Sequence, residues 1–122
     1  MTKQEYMDMY QLVGIAMEVH NTLGWGLAEP IYQEAFAIEC WRNGLSIERE
    51  KELHMYYKDE LMKKTYYADF YYNGIVIELK ATSDISQEHR AQLFNYLRIT
   101  KQQRGIYLTS ERKASILSAI SI

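Results

Sequence analysis

The chain has 122 residues, which is the size of one ordinary domain and too short for two. Hydrophobic residues make up 48% and charged residues 25% of it, a balance that excludes a disordered or collagen-like chain. No apolar run approaches the roughly 18 residues that cross a bilayer, and the first residues lack the pattern of a signal peptide. We therefore expect a single domain over residues 1–122, located in the cytoplasm and with no membrane partner.

The net charge of −2 is unusual for a protein that binds nucleic acid, because phosphate contacts are usually made by an excess of Lys and Arg. A cluster of carboxylates around a divalent cation weakens this objection, since the cation reverses the sign of the charge that a phosphate meets. The charge alone therefore lowers the expectation of nucleic-acid binding without excluding it.

Two helices are predicted first in the chain. The first runs from Gln4 to His20, and its apolar residues recur at helical spacing at Leu12, Ile15, Ala16 and Val19. The second runs from about Ala28 to Arg42, with a proline in its first turn and a glycine just past its end. Its expected buried stripe consists of Ile31, Ala35, Ile38 and Trp41. The single cysteine, Cys40, has no disulfide partner and no CxxC spacing for zinc, and we expect it to be buried.

Three β-strands are predicted next, because the sequence becomes rich in Tyr, Ile and Val at residues 45–57, 64–72 and 75–79. A third helix is expected over residues 87–100, capped by Ser86 or Asp84, and a short strand over residues 105–108. The tail from Glu111 onward is predicted to be a final helix. The order ααβββαβα predicts an α/β fold in which a mixed central sheet is flanked by helices.

The most informative feature is the Asn73-Gly74 pair between the second and third strands, because Asn-Gly is the strongest short signal for a β-hairpin. A two-residue turn at this point places Asp69 directly opposite Glu78. Like charges in directly opposed positions destabilise a sheet unless something positive lies between them. The hairpin thus predicts a cation between the two carboxylates.

Strand alternation adds a lysine to this pair, since Glu78 and Lys80 point to the same face. Mg²⁺ and Mn²⁺ bind a few carboxylate oxygens together with waters and phosphate. A metal held by Asp69 and Glu78, with Lys80 beside it to orient a water or stabilise developing charge, suits phosphodiester hydrolysis. Glu-x-Lys alone is a weak signal that usually marks a solvated strand face, and it is the predicted turn that gives it meaning.

Helical pairs supply further candidates. Glu29 and Tyr32 share one helix face by their i, i+3 spacing, and Gln92 and Tyr96 share another by i, i+4. Glu29 can supply a third carboxylate ligand, directly or through water, and Gln92 can hydrogen-bond the attacking water or a phosphate oxygen. Tyr32, Tyr96 and His20 are candidate substrate contacts. Taken alone, each helical pair is better explained by ordinary surface and packing roles.

The segment from Gly26 to Tyr32 resembles the signature of the GxxExxY proteins, a branch of the PD-(D/E)XK nuclease superfamily. Tyr-Ala-Asp-Phe around Asp69, Ile-Glu-Leu-Lys-Ala around Lys80 and the segment from Ala91 to Leu97 are similar to that family in the same order. The last of these also resembles the QxxxY motif of RecB-like nucleases. The resemblance implies a restriction-endonuclease-like core. It also implies that Asp69, Glu78 and Lys80 form the catalytic core, with Glu29 and Gln92 as helical complements.

The function expected from these residues is a Mg²⁺- or Mn²⁺-dependent nuclease that hydrolyses DNA. The alternative is a catalytically silent module on the same fold that binds nucleic acid or another protein. Pairs of adjacent tyrosines should send one ring inward and one outward from their strands, and the outward rings favour a homodimer. Strand propensity explains the same tyrosines without any binding role.

Overall fold

The computed structural model describes residues 2–81, 86–109 and 115–121, the last of these as backbone alone. Three helices and five strands are found within this part of the chain. Their bounds are α1 Lys3–Leu23, α2 Glu29–Arg42, β1 Glu48–Tyr57, β2 Glu60–Tyr72, β3 Ile75–Lys80, α3 Gln87–Ile99, β4 Arg104–Thr109 and β5 Ser115–Ser121.

The strands form one mixed sheet in the order β1-β2-β3-β4-β5. Strands β3 and β4 are parallel, and the other neighbours are antiparallel. Parallel neighbours need a crossover connection, and α3 provides it between β3 and β4. The α/β class and the mixed sheet flanked by helices are thereby confirmed. No helix in the described part of the chain has the length and apolar character of a membrane span.

The predicted final helix is wrong, because residues 115–121 form β5 and pair antiparallel with β4. The remainder of that prediction, together with the candidate cap Asp84, lies outside the described residues. A β-strand whose outer edge is unpaired presents a row of backbone donors and acceptors to any extended neighbour. The hydropathy pattern of a short apolar segment does not show whether it will pair with such an edge, which explains why a helix was predicted.

Two hydrophobic clusters lie on opposite faces of the sheet. One packs α1 and α2 against the sheet, with Leu12, Phe36 and Ile77 near its centre. The other lies under α3, with Leu93 and Leu97. Strand β3 contributes alternately to both, since Ile75, Ile77 and Leu79 belong to the first cluster and Val76 to the second. This strand is therefore a central one, and its polar residues are held in a mostly apolar setting.

The inward face of α1 is as predicted, with Leu12, Ile15 and Val19 buried. The stripe predicted for α2 is wrong at three of its four positions: Ile31, Ile38 and Trp41 are 45%, 47% and 52% exposed. The fourth residue, Ala35, is half-buried and packs against the cluster. The buried row consists of Tyr32, Phe36, Ala37 and Cys40. Apolar residues occur on more than one side of this helix, so hydropathy does not choose its buried face. Packing does, because the Phe36 ring lies 5.0 Å from that of Phe70 in β2. Cys40 is fully buried, as expected.

Candidate active site

The β2–β3 hairpin has the predicted two-residue turn. Asn73 and Gly74 both have positive φ, 46° and 80°, which is the requirement of a type I′ turn. The ladder then pairs Tyr72 with Ile75, Tyr71 with Val76 and Phe70 with Ile77, as predicted. The side-chain amide of Asn73 also donates to Oδ2 of Asp8 at 3.3 Å, which ties the turn to α1.

Strand β2 departs from regular alternation at Asp69. Ala68 packs in the cluster under α3, whereas Phe70, two residues later, packs in the cluster under α1 and α2. Residues two apart in a regular strand face the same side, so the strand changes face at this residue. The backbone ladder to β3 ends at Phe70–Ile77, one pair short of the predicted Asp69–Glu78 pair. In its place, the Asp69 carboxylate accepts a hydrogen bond from the Leu79 backbone N–H at 3.0 Å.

Glu78 is an acidic residue in a buried position, with 6% of its surface exposed. Burial raises its pKa to about 7, and the nearby Lys80 charge and a hydrogen bond from the Asp69 backbone oppose this rise. One of its carboxylate oxygens accepts a hydrogen bond from the Tyr66 hydroxyl. The site therefore holds an acid that water solvates poorly and that gains from any additional positive charge.

Asp69 lies in the same electrostatic environment. Burial raises its pKa, the Leu79 hydrogen bond and the Lys80 charge lower it, and the Glu29 charge raises it. Glu29 also raises the pKa of Glu78. The predicted acids and Lys80 are therefore brought to the same end of β3.

Glu29 reaches this place from the first turn of α2. Its Oε1 accepts a hydrogen bond from the Ala81 backbone N–H, directly after β3, at 3.1 Å. One turn further along α2, the Gln33 amide donates to the Leu79 carbonyl at 3.3 Å and also hydrogen-bonds Asp69. Two residues on one face of α2 thus fix the end of β3.

The predicted set of three metal ligands is not assembled. Among residues 2–81 and 86–109, no three His, Cys, Asp or Glu side chains come close enough to hold a metal together. Oε1 of Glu29 accepts the Ala81 N–H, and the role of Glu29 as a third ligand, directly or through water, stays a prediction. The pair Asp69 and Glu78 still fits Mg²⁺ or Mn²⁺ chemically, since Mg²⁺ usually binds one or two carboxylates and keeps several waters. Both acids have a raised pKa, which a cation would relieve.

The candidates on α3 lie on the other side of these acids. The Tyr96 ring stacks on the Tyr66 ring, with centroids 4.1 Å apart and planes 7° from parallel. Gln92 is exposed and, with Tyr96 and His89, lines a surface depression of about 570 Å³. Tyr96 therefore contacts the site through Tyr66, and Gln92 lies one helical turn away on the same helix.

Two candidate substrate contacts are not brought to the site. Tyr32 is fully buried, and its hydroxyl donates to the Gly24 carbonyl at 2.7 Å and accepts from the Leu27 N–H at 3.1 Å. It anchors the loop before α2, so it is not available to a substrate. His20 is half-buried near the end of α1, and its Nδ1 has no hydrogen-bond partner within the described residues. Within the same residues its ring makes no hydrogen bond to Asp69 or Glu78.

Sequence reasoning did not select three residues of the site, Tyr66, Tyr107 and Gln33. Tyr107 lies in β4 directly beside Glu78. Burial raises its pKa to about 12, and the nearby charges of Glu78 and Asp69 add to the rise. The i, i+4 spacing from Glu29 could have identified Gln33. The positions of the two tyrosines depend on the face change at Asp69 and on the β3–β4 register, and neither has a sequence signal.

Comparison with known proteins identifies the family. The family model of the PD-(D/E)XK nuclease superfamily matches residues 7–116, and the chain belongs to that superfamily. No curated protein matches it. One solved structure, the crystal structure of SSO0001, aligns with a TM-score of 0.46 and 19% identity, over 94% of this chain and 78% of that chain. This structural similarity is too low to support an inference about function.

Proposed function

We propose that the protein is a divalent-metal-dependent nuclease that hydrolyses phosphodiester bonds in DNA, and that it belongs to the GxxExxY branch of its superfamily. The observation that supports this best is the meeting of Asp69, Glu78 and Lys80 at one end of β3, with both acids buried enough to raise their pKa. Perturbed acids beside a specific cationic partner are typical of catalytic sites.

In this proposal Asp69 and Glu78 hold Mg²⁺ or Mn²⁺, and Glu29 acts on it through a water molecule. When bound, the cation supplies positive charge at the phosphate and favours ionisation of a water molecule. Lys80 orients that water or stabilises the charge that develops on the phosphoryl oxygens. Gln92, exposed on α3, donates a hydrogen bond to a phosphate oxygen, and Tyr96 lines the same depression.

The proposal is tested by incubating the purified protein with single- and double-stranded DNA and RNA, in Mg²⁺, Mn²⁺ or EDTA. We expect cleavage of DNA that needs the cation, and a loss of about 100-fold or more in kcat for Lys80→Ala, the range expected for a group acting on the reacting atoms. Lys64→Ala is the matched control, because Lys64 is an exposed lysine of β2. Cleavage in EDTA, or an unchanged rate for Lys80→Ala, contradicts the proposal.

A silent module that binds nucleic acid or protein is the second candidate, and the net charge of −2 favours it. It predicts that no metal-dependent cleavage of any polynucleotide occurs, and that Lys80→Ala binds the same partner as well as the wild type does. Binding by fluorescence anisotropy, measured beside cleavage on the same samples, separates the two functions.

A homodimer and a cytoplasmic location remain predictions. In two of the tyrosine pairs one ring is exposed and its neighbour is half-buried, as predicted: Tyr57 and Tyr67 are 66% and 58% exposed. Sedimentation equilibrium of the wild type and of Tyr57→Ser/Tyr67→Ser tests whether these rings hold two copies together.

A further inference from the structure

Tyr66 lies between the two parts of the site, the acids of the sheet and the exposed face of α3. Its hydroxyl donates a hydrogen bond to Oε1 of Glu78. Its ring packs against the cluster under α3 and stacks on Tyr96 at 4.1 Å. A side chain fixed at both its ring and its hydroxyl can fix the group to which it donates.

A glutamate has several rotatable side-chain bonds, so each contact to its carboxylate restricts where that carboxylate lies. At Glu78 the Tyr66 hydroxyl adds a side-chain donor from β2 to the hydrogen bond from the Asp69 backbone. A carboxylate has about four acceptor positions. The Tyr66 hydroxyl and the Asp69 backbone N–H occupy two of them, so acceptor positions remain for a cation. Partners in the outer shell of a metal site orient the ligand in this way, and their loss typically weakens metal binding 10- to 100-fold.

We propose that Tyr66 is a positioning residue for Glu78, and that its stack on Tyr96 connects the metal-binding carboxylate to helix α3. Gln92 lies one turn before Tyr96 on that helix. The inference rests on the proposed function in one respect, namely that Glu78 holds the cation.

The test measures Mn²⁺ binding to the intact chain by isothermal titration calorimetry and by the electron paramagnetic resonance signal of bound Mn²⁺. Tyr66→Phe keeps the ring and its stack but removes the hydroxyl. We expect Mn²⁺ affinity to fall about 10-fold or more, with a changed resonance line shape and an almost unchanged melting temperature. In cleavage assays at saturating Mn²⁺, kcat should fall while KM for DNA stays the same.

Matched variants separate positioning from general damage. Tyr67→Phe changes the neighbouring tyrosine of β2, which is 58% exposed, and should bind Mn²⁺ as the wild type does. Tyr96→Leu removes the stack and should also weaken Mn²⁺ binding, whereas Tyr96→Phe keeps the stack and should restore it. If Tyr66→Phe does not fold, the two Tyr96 variants carry the test.

The outcomes distinguish this inference from the proposed function. A wild type that binds no Mn²⁺ overturns both. Wild-type binding together with equal or tighter binding by Tyr66→Phe overturns the positioning role alone and leaves the metal site in place. Weaker binding by Tyr66→Phe and Tyr96→Leu, with Tyr67→Phe unchanged, supports it.

Discussion

Glu78 makes the stability of the metal-free protein depend on pH. Its pKa is raised from 4.5 to about 7 in the folded state, mainly by burial, so the folded protein binds a proton more tightly than the unfolded chain does. The stability that this group contributes is complete below about pH 4.5 and is lost as the pH rises through about 7. One pKa unit corresponds to about 1.4 kcal/mol. The free energy of unfolding therefore falls by about 3 kcal/mol between these limits. Solvent screens this charge little, because Glu78 is 6% exposed.

The experiment compares the wild type with Glu78→Gln by urea unfolding in EDTA between pH 4.5 and pH 8. Glutamine keeps the shape of the side chain and still accepts the hydrogen bond from Tyr66, but it does not titrate. The free energy of unfolding of the variant, relative to the wild type, should rise by about 3 kcal/mol across this range. Glu52→Gln is the control, since Glu52 is an exposed residue of β1 and should show no such rise. A difference that does not change with pH would refute the argument from burial.

Two further substitutions test the site and the anchor before α2. Asp69→Asn should raise the melting temperature of the metal-free protein, because burial disfavours the ionised carboxyl and the amide oxygen can still accept from Leu79. The same variant should lose the stabilisation by Mg²⁺ that differential scanning calorimetry measures. An unchanged response to Mg²⁺ would count against Asp69 as a ligand. Tyr32→Phe leaves two backbone groups of the loop without their partner and should lower the free energy of unfolding by about 1–3 kcal/mol in urea. At a temperature where the variant is folded, it should cleave DNA with an unchanged KM. A higher KM without loss of stability would indicate that Tyr32 contacts the substrate.

Local signals predicted the parts of the fold that local chemistry decides. The Asn73-Gly74 turn fixed the β2–β3 register because both residues adopt positive φ readily. The cap of α3 is Ser86, whose hydroxyl accepts from the His89 N–H, while the His89 ring accepts from the Ser86 N–H. In both cases the determining contacts lie within four residues along the chain, so the sequence carries them directly.

Tertiary contacts decided the features that could not be predicted. The buried face of α2 is chosen by Phe70, and the strand β5 by the open edge of β4. The face change at Asp69 has the largest consequence. A regular hairpin counted outward from the turn pairs Tyr66 with Ala81. That register does not predict the hydrogen bond between the Tyr66 hydroxyl and Glu78.

The face change at Asp69 brings groups from both faces of the sheet to one site. With regular alternation, the Asp69 side chain would stand on one face of the sheet. Here it points across to β3 and accepts a hydrogen bond from Leu79. The charge of Glu29, which α2 places on one face of the sheet, raises the pKa of Asp69. On the other face, Tyr66 links Glu78 to α3. The end of β3 is thus where groups from both helical layers meet.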